Sequence, residues 1–176
     1  MYVYKAKIQS DGSLDKLKFI IVVRGDLQNK EMVGDTWSPI ASMRTLKYFL
    51  ADAAKHKARV HQLYFIGSFL QYEVKNRVFF KLNIRYTYYF PEYAKYFGRA
   101  LILLNSMYGM NTSGKLFADE LKEWLPEPGF IQSQFHMSIY YKYATDGSNI
   151  FVLSYVDDSV YWYTNEYPGK WFVDTR

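Results

Sequence analysis

The pattern of apolar and polar residues predicts a series of short β-strands. Residues 1–9 alternate, residues 10–13 have the composition of a turn, and residues 17–24 form a β-rich run, so the chain is expected to begin with a β-hairpin. Residues 86–91 are expected to be an aromatic-rich loop. Further short apolar runs predict strands at residues 60–65, 78–82, 100–104, 137–143, 149–155 and 159–163.

Helical periodicity occurs twice. Ser42 is a candidate N-cap for a helix that ends near His56, and Thr112 or Ser113 is a candidate N-cap for a second helix. The predicted buried stripes are Leu46, Phe49, Leu50, Ala53 and Ala54 in the first helix and Leu116, Phe117, Leu121, Trp124 and Leu125 in the second. The residues expected to end the second helix are Pro126, Pro128 and Gly129.

These elements together predict an α+β fold. An antiparallel sheet is expected to be backed by the helices at residues 42–56 and 113–125, which leaves its other face for substrate. The sequence contains no internal repeat and no evident domain boundary.

Composition narrows the class of protein. The 176 residues contain no cysteine, which excludes disulfide scaffolds, zinc ribbons and thiol nucleophiles. A hydrophobic fraction of 49% with 5 prolines and 10 glycines argues against disorder and low-complexity linkers. The first residues become polar before any apolar core forms, and no apolar stretch approaches the roughly 20 residues that span a bilayer. The sequence therefore predicts a soluble, cytoplasmic protein without a membrane partner.

Charge is distributed unevenly along the chain. Residues 1–59 carry 11 Lys and Arg against 6 Asp and Glu, residues 60–125 carry 8 against 5, and residues 126–176 carry 3 against 6. This asymmetry indicates a polyanion-binding surface beside a cation-binding one, although counts of this size also fluctuate by chance.

An acidic pair stands between two apolar runs, in the sequence Tyr155-Val156-Asp157-Asp158. Two adjacent carboxylates oppose each other's ionisation unless cations neutralise them. Hard oxygen ligands of this kind suit Mg²⁺. The alternative is an acidic pair that only solvates a hairpin turn, where Asp is a favoured residue.

Four segments occur in one order along the chain. They are Asp35-Thr36-Trp37-Ser38-Pro39-Ile40-Ala41-Ser42, His61-Gln62-Leu63-Tyr64-Phe65-Ile66-Gly67-Ser68-Phe69-Leu70, Ser106-Met107-Tyr108-Gly109-Met110 and Tyr155-Val156-Asp157-Asp158. This series closely resembles the reverse transcriptase domain of copia-type (pseudoviral) LTR retrotransposons over residues 17–174. Any one segment is a weak signal, whereas the ordered set is specific.

The resemblance implies a right-hand polymerase in one reverse transcriptase-like domain, with fingers in about residues 1–59 and a partial palm in about residues 60–176. Asp157 and Asp158 match the acidic pair that holds two Mg²⁺ ions, or Mn²⁺ in their place, during nucleotidyl transfer. The implied partners are an RNA template, a DNA primer and a dNTP. Besides the cytoplasm, the implied locations are a retroelement particle and the nucleus.

Three further residues match nucleotide-binding positions of that family. Phe69 matches the bulky residue that screens the sugar 2′ position, with an ordinary buried aromatic as the alternative. Tyr108 and Gly109 match the turn beside the incoming nucleotide and template base, with a simple strand-to-helix turn as the alternative.

Two basic residues match the strand of the fingers that approaches the triphosphate, Lys18 and Arg24. The family has a further basic residue where this chain has Ile20, so the match is loose. A solvated basic surface is the alternative.

The family's first catalytic aspartate is absent, because Tyr64 follows His-Gln-Leu. A phenol, with a reference pKa of about 10, is neutral and bulkier than a carboxylate. Neither Glu73, past a turn, nor Asp52, on the preceding helix, is expected to replace it, so coordination of both ions should fail. The family's Lys-Gln step is Asn111-Thr112 in this chain, and Pro126 and Pro128 interrupt a helix that the family continues.

We therefore expect a mutated and truncated copy, without a thumb or RNase H region, that is catalytically inactive. Two alternatives stay open. One is a non-catalytic domain that binds RNA or an RNA/DNA hybrid, supported by the charge of +8 on residues 1–125 and by tyrosines that can stack on bases. The other is a relic that folds poorly.

Overall fold

A computed structural model describes residues 1–125, 129–143, 145 and 147–164. The helices within these ranges are α1 (Lys30–Val33), α2 (Met43–Lys55), α3 (Ile84–Tyr89) and α4 (Ser113–Trp124). The strands are β1 (Tyr2–Ile8), β2 (Leu14–Ile21), β3 (Val60–Tyr64), β4 (Phe79–Lys81), β5 (Ala100–Ile102), β6 (Ile131–Gln132), β7 (Ile139–Tyr143), β8 (Asn149–Leu153) and β9 (Asp158–Tyr163). This mixture of helices and antiparallel sheets agrees with the predicted α+β class.

The chain divides into two compact units that interleave along the sequence. Unit 1 comprises Met1–Thr36 and Phe69–Leu116, and unit 2 comprises Trp37–Ser68 and Phe117–Arg176. The sequence suggested no internal boundary, and the predicted division near residue 59 does not coincide with these units. Each unit therefore contains two separate stretches of chain.

Unit 2 contains a five-stranded antiparallel sheet in the order β3-β9-β8-β7-β6. Helix α2 packs on one face, where the Phe49 ring meets the Trp162 indole edge-on at 6.2 Å between centroids. Ala41, Ala53 and Leu153 complete the buried cluster. The helix begins as predicted, because the Ser42 hydroxyl accepts a hydrogen bond from the Thr45 N–H.

Both faces of this sheet are buried at its centre. Alternation along the strands places Leu153 and Trp162 on the face with α2 and places Tyr140, Ile150 and Val152 on the opposite face, and all five side chains are buried. The expectation that helices cover one face and leave the other for substrate is therefore wrong for the middle of the sheet. Apolar residues at successive positions of β8 produce this two-sided burial.

Unit 1 contains two separate two-stranded sheets, the hairpin β1-β2 and the pair β4-β5. The hairpin confirms the first sequence prediction. Its register places Lys5 opposite Lys18 and Lys7 opposite Lys16, so four lysines share one face. Like charges directly across an antiparallel pair repel each other and destabilise the hairpin. Binding of an anion to this face would reduce the repulsion.

Some local predictions differ from the structure. Residues 86–91 are not a loop, because α3 includes residues 86–89. The Asn83 side chain accepts a hydrogen bond from the Arg85 N–H and caps the start of this helix. In α2 the buried positions are Thr45, Phe49 and Ala53, whereas Leu50 is 40% exposed, so the buried stripe is rotated from the predicted one. The expected helix-ending residues Pro126 and Pro128 lie outside the described residues.

None of the helices in the described ranges is both long and apolar enough to cross a membrane.

Candidate functional site

The predicted acidic pair lies at the turn between β8 and β9. Asp157 belongs to the turn and Asp158 is the first residue of β9. The Asp158 N–H donates to the Tyr155 carbonyl at 3.0 Å, which closes the turn. Val156 has a φ of 50°, in the left-handed region that a β-branched residue rarely occupies. Strained backbone of this kind persists only where surrounding structure holds it, and it is concentrated at functional sites.

Strand β3 brings Tyr64 to the acidic pair. Tyr64 is the residue directly opposite Asp158 in the β3-β9 ladder. The Phe65 N–H donates to the Asp157 carbonyl at 2.9 Å and continues the pairing beyond the strand. The three residues that the sequence assigned to catalysis are thus adjacent in space, although Tyr64 and Asp158 are far apart in the chain.

Both carboxylates of the acidic pair accept hydrogen bonds from side chains within residues 61–70. The Gln62 amide nitrogen Nε2 donates to Asp158 Oδ1 at 3.1 Å. The Ser68 hydroxyl donates to Asp157 Oδ1, and Ser68 is fully buried. Gly67, with a φ of 62°, and the following 3₁₀ turn direct Ser68 toward the hairpin. Sequence reasoning missed Gln62 and Ser68, although both belong to the segment 61–70 that carried the resemblance.

The donor set at this place consists of two carboxylates and a phenol. In the described part of the chain no three His, Cys, Asp or Glu side chains come together as a metal-binding group. Tyr64 is 57% exposed and offers no negative charge where a third carboxylate would stand. Two Mg²⁺ ions need more anionic oxygen ligands than this group supplies, so the residues present do not fit a two-metal centre.

Unit 1 brings the predicted nucleotide-binding residues Phe69 and Tyr108 together. Their rings meet edge-on with centroids 5.6 Å apart. Both side chains are partly buried, so the nucleotide-binding role of Phe69 stays a prediction beside the alternative of an ordinary packed aromatic.

The turn at Gly109 is tightly packed against the chain that follows β2. The Val23 N–H donates to the Tyr108 carbonyl at 2.8 Å. Gly109 has a φ of 85°, and a Cβ atom there would meet the Val23 carbonyl oxygen and the Val22 side chain. Asn111 Nδ2 donates to the Gly25 carbonyl at 2.9 Å, a second hydrogen bond between this turn and the chain that follows β2. Only glycine fits this position.

The two predicted basic residues differ in their surroundings. Arg24 Nε and Nη2 donate to the two carboxylate oxygens of Asp26 at 2.7 and 2.5 Å. This side-chain hydrogen bonding lowers the pKa of Asp26 and raises that of Arg24. Lys18 instead lies opposite Lys5 on the four-lysine face of the hairpin. A role for Arg24 at a triphosphate stays a prediction, and it would require Arg24 to exchange Asp26 for the phosphate.

Comparison with known proteins gives one family match that covers most of the chain. The model of the family described as reverse transcriptase (RNA-dependent DNA polymerase) matches residues 1–166. The chain is 24% identical over 161 residues to the retrovirus-related Pol polyprotein from transposon TNT 1-94 of Nicotiana tabacum. It is 25% identical over 158 residues to the retrovirus-related Pol polyprotein from transposon RE2 of Arabidopsis thaliana.

Each of these alignments covers 89% of this chain but only 12% and 10%, respectively, of the relatives, so the chain corresponds to a small part of a polyprotein. No solved structure gives a significant match.

Proposed function

The chain belongs to the reverse transcriptase (RNA-dependent DNA polymerase) family of copia-type retrotransposons, and from this premise we propose that it is a polymerase domain whose nucleotidyl-transfer activity has been lost. In an active domain, two Mg²⁺ ions would activate the primer hydroxyl and stabilise the leaving pyrophosphate. Asp157 and Asp158 are the residues of this chain that would contribute to such a centre.

The observation that carries the proposal is the pairing of Tyr64 with Asp158. A phenol at this position supplies neither the charge nor the second oxygen of a carboxylate, and its ring occupies more space. Gln62 and Ser68 donate to the two remaining carboxylates, so these acidic groups have protein partners. Their present role is to join the β8-β9 turn to β3 and to the segment that follows it.

Primer extension tests the proposal. Purified protein is incubated with a labelled DNA primer on an RNA template, the four dNTPs, and Mg²⁺ or Mn²⁺. We expect no extension above that of a variant carrying Asp157→Asn and Asp158→Asn. Metal-dependent synthesis that this double variant abolishes would overturn the proposal.

A second candidate function is binding of RNA or an RNA/DNA hybrid without catalysis. The favouring observation is the charge of unit 1, which contains 13 Lys and Arg against 7 Asp and Glu, with four of the lysines on one hairpin face. Phosphate contacts by such a face release counterions and make affinity depend on salt.

Titration with an RNA/DNA hybrid over a range of salt concentrations tests this candidate. We expect affinity to fall steeply with salt, and Lys18→Gln to reduce the slope of log affinity against log salt by about one. Lys47→Gln, on α2 of unit 2, is the matched control. A salt-independent affinity would count against this function, and a cooperative thermal transition would separate both candidates from a relic that does not fold.

A further inference from the structure

One stretch of unit 1 is built from two short helical elements in which no side chain is more than partly buried. Neither α3 nor the 3₁₀ helix Pro91–Tyr96 contains a buried residue. Residues 84–97 nevertheless include seven aromatic side chains. Helices of this length are normally stabilised by packing an apolar face, so a short helical segment whose rings stay accessible is unusual.

The rings of this segment form a connected group. The Tyr86 ring lies 4.8 Å from that of Phe90 and 5.6 Å from that of Tyr93, measured between centroids. Tyr93 continues the group to Tyr96 at 6.4 Å. Phe90 and Tyr93 are each 41% exposed, so this connected group is open to a ligand.

The β1-β2 hairpin of the same unit carries a second group of rings. On the face opposite its four lysines, the Phe19 ring lies 5.3 Å from that of Tyr2 and 5.2 Å from that of Tyr4. Burial and then the Tyr4 phenol raise the pKa of Tyr2, and Tyr86 and Arg85 of α3 are among the further groups that influence it. We call these seven residues the aromatic surface: Tyr2, Tyr4, Phe19, Tyr86, Phe90, Tyr93 and Tyr96.

Cations accompany the aromatic surface. Lys95 Nζ lies 5.0 Å from the centroid of the Tyr96 ring, within the range of a cation–π contact. Arg85 lies in α3 and Arg99 lies three residues after the 3₁₀ helix, and Glu92 is the one acidic residue among positions 84–99. A surface that combines accessible rings with a local excess of positive charge is complementary to bases joined by phosphates.

We propose that the aromatic surface binds single-stranded nucleic acid by stacking bases on its rings. Stacking favours single strands because the bases of a duplex already stack on one another, whereas phosphate contacts alone do not distinguish the two. The inference extends the proposed function, since nucleic acid is the expected partner of the family. It requires no metal and no residue of the acidic pair.

Fluorescence anisotropy in EDTA tests the proposal with three labelled probes, rU12, dT12 and a 12-base-pair duplex. We expect both single strands to bind about fivefold or more tighter than the duplex. The double variant Phe90→Ala and Tyr93→Ala should lose about tenfold or more in affinity for the single strands, as expected for losing one stacked base. Preference for rU12 over dT12 would identify RNA as the natural ligand, and the reverse would identify DNA.

Three variants make the result specific. Tyr48→Ala removes a tyrosine that is 70% exposed on α2 of unit 2 and should change affinity less than twofold. Phe90→Tyr with Tyr93→Phe keeps both rings and should keep the affinity. Phe90→Leu with Tyr93→Leu retains apolar bulk without rings and should lose affinity like the alanine variant, which separates stacking from folding.

Two outcomes would overturn the proposal. One is an affinity for rU12 and dT12 that none of the ring-removing variants changes. The other is a concentration-dependent dimer, seen by sedimentation, that these variants abolish, because the surface would then be an interface between copies. Because EDTA removes the metal, either result leaves the outcome of primer extension untouched.

Discussion

Tyr64 lies directly opposite Asp158 across the β3-β9 ladder. Facing residues of an antiparallel pair have their Cβ atoms about 5 Å apart, so whatever stands at position 64 determines the environment of that carboxylate. Compared with an aspartate, a tyrosine there supplies no carboxylate and avoids a repulsion between two like charges. We therefore expect Tyr64 to favour the pairing of β3 with β9 and to disfavour the binding of a cation.

Restoring the carboxylate should restore metal affinity. We expect Tyr64→Asp to raise the affinity for Mn²⁺, measured by electron paramagnetic resonance, by about tenfold, since a third acidic ligand joins Asp157 and Asp158. Without metal, this variant should be less stable by about 0.5 kcal/mol because two aspartates then face each other. Tyr48→Asp, which adds the same charge on α2, is the control, and equal Mn²⁺ affinities in the two variants would contradict the prediction.

Removing the Ser68 hydroxyl should destabilise the protein. Ser68 is fully buried and donates to the Asp157 carboxylate, so Ser68→Ala leaves a charged acceptor without that donor and should cost about 1–3 kcal/mol in urea unfolding. Ser159 is also buried, and its Oγ has no hydrogen-bond partner within the described ranges. Ser159→Ala should therefore be neutral or slightly stabilising, and equal losses in the two variants would show that the Asp157 contact contributes nothing.

Glycine is required at position 109 by space as well as by backbone conformation. A Cβ at Gly109 would meet the Val23 carbonyl, whereas a Cβ at Gly12 would meet nothing within 4 Å, and both residues have positive φ. Gly12→Ala should cost about 1 kcal/mol from conformation alone. Gly109→Ala should cost at least about 2 kcal/mol more, because overpacking is added. Thermal melts of both variants measure the difference, and similar losses would mean that the turn can move away from Val23.

Tyr140 should make stability depend on alkaline pH. Burial raises the pKa of this phenol to about 12, and the weaker effect of the hydrogen bond from Gln132 lowers it. The neutral phenol is thus favoured in the folded state. Its contribution is fully present below about pH 10, where the phenol of the unfolded chain begins to ionise, and is lost as the pH rises to about 12.

Urea unfolding between pH 9 and pH 11.5 checks this dependence. Tyr140→Phe should lose less stability over that range than the unmodified protein, since Gln132 Nε2 still donates to the Met137 carbonyl and is not left unpaired. Tyr48→Phe serves as the control for an exposed tyrosine. A shallower pH dependence in both variants would contradict a specific role of Tyr140.

Local sequence signals predicted most of the secondary structure. The cap at Ser42, the turn between β1 and β2, and the apolar runs of β7 to β9 each depend on residues within a few positions of one another. Of the two failures, one has a local cause and the other a tertiary one. Asn83 starts a helix where the aromatic-rich residues 86–91 suggested a loop, and burial in α2 follows the contact with Trp162 rather than the widest apolar stripe.

The sequence by itself determined which chemical groups the site contains, namely two adjacent aspartates and a tyrosine in place of a third. The tertiary structure alone decided how these groups pair. Gln62 and Asp158 are 96 positions apart, and Ser68 and Asp157 are 89 apart. Contacts over such separations depend on strand register and on the packing of the whole unit, and no local pattern encodes them. The aromatic surface has the same origin, because its rings come from a hairpin and a helix that are about 70 residues apart in the chain.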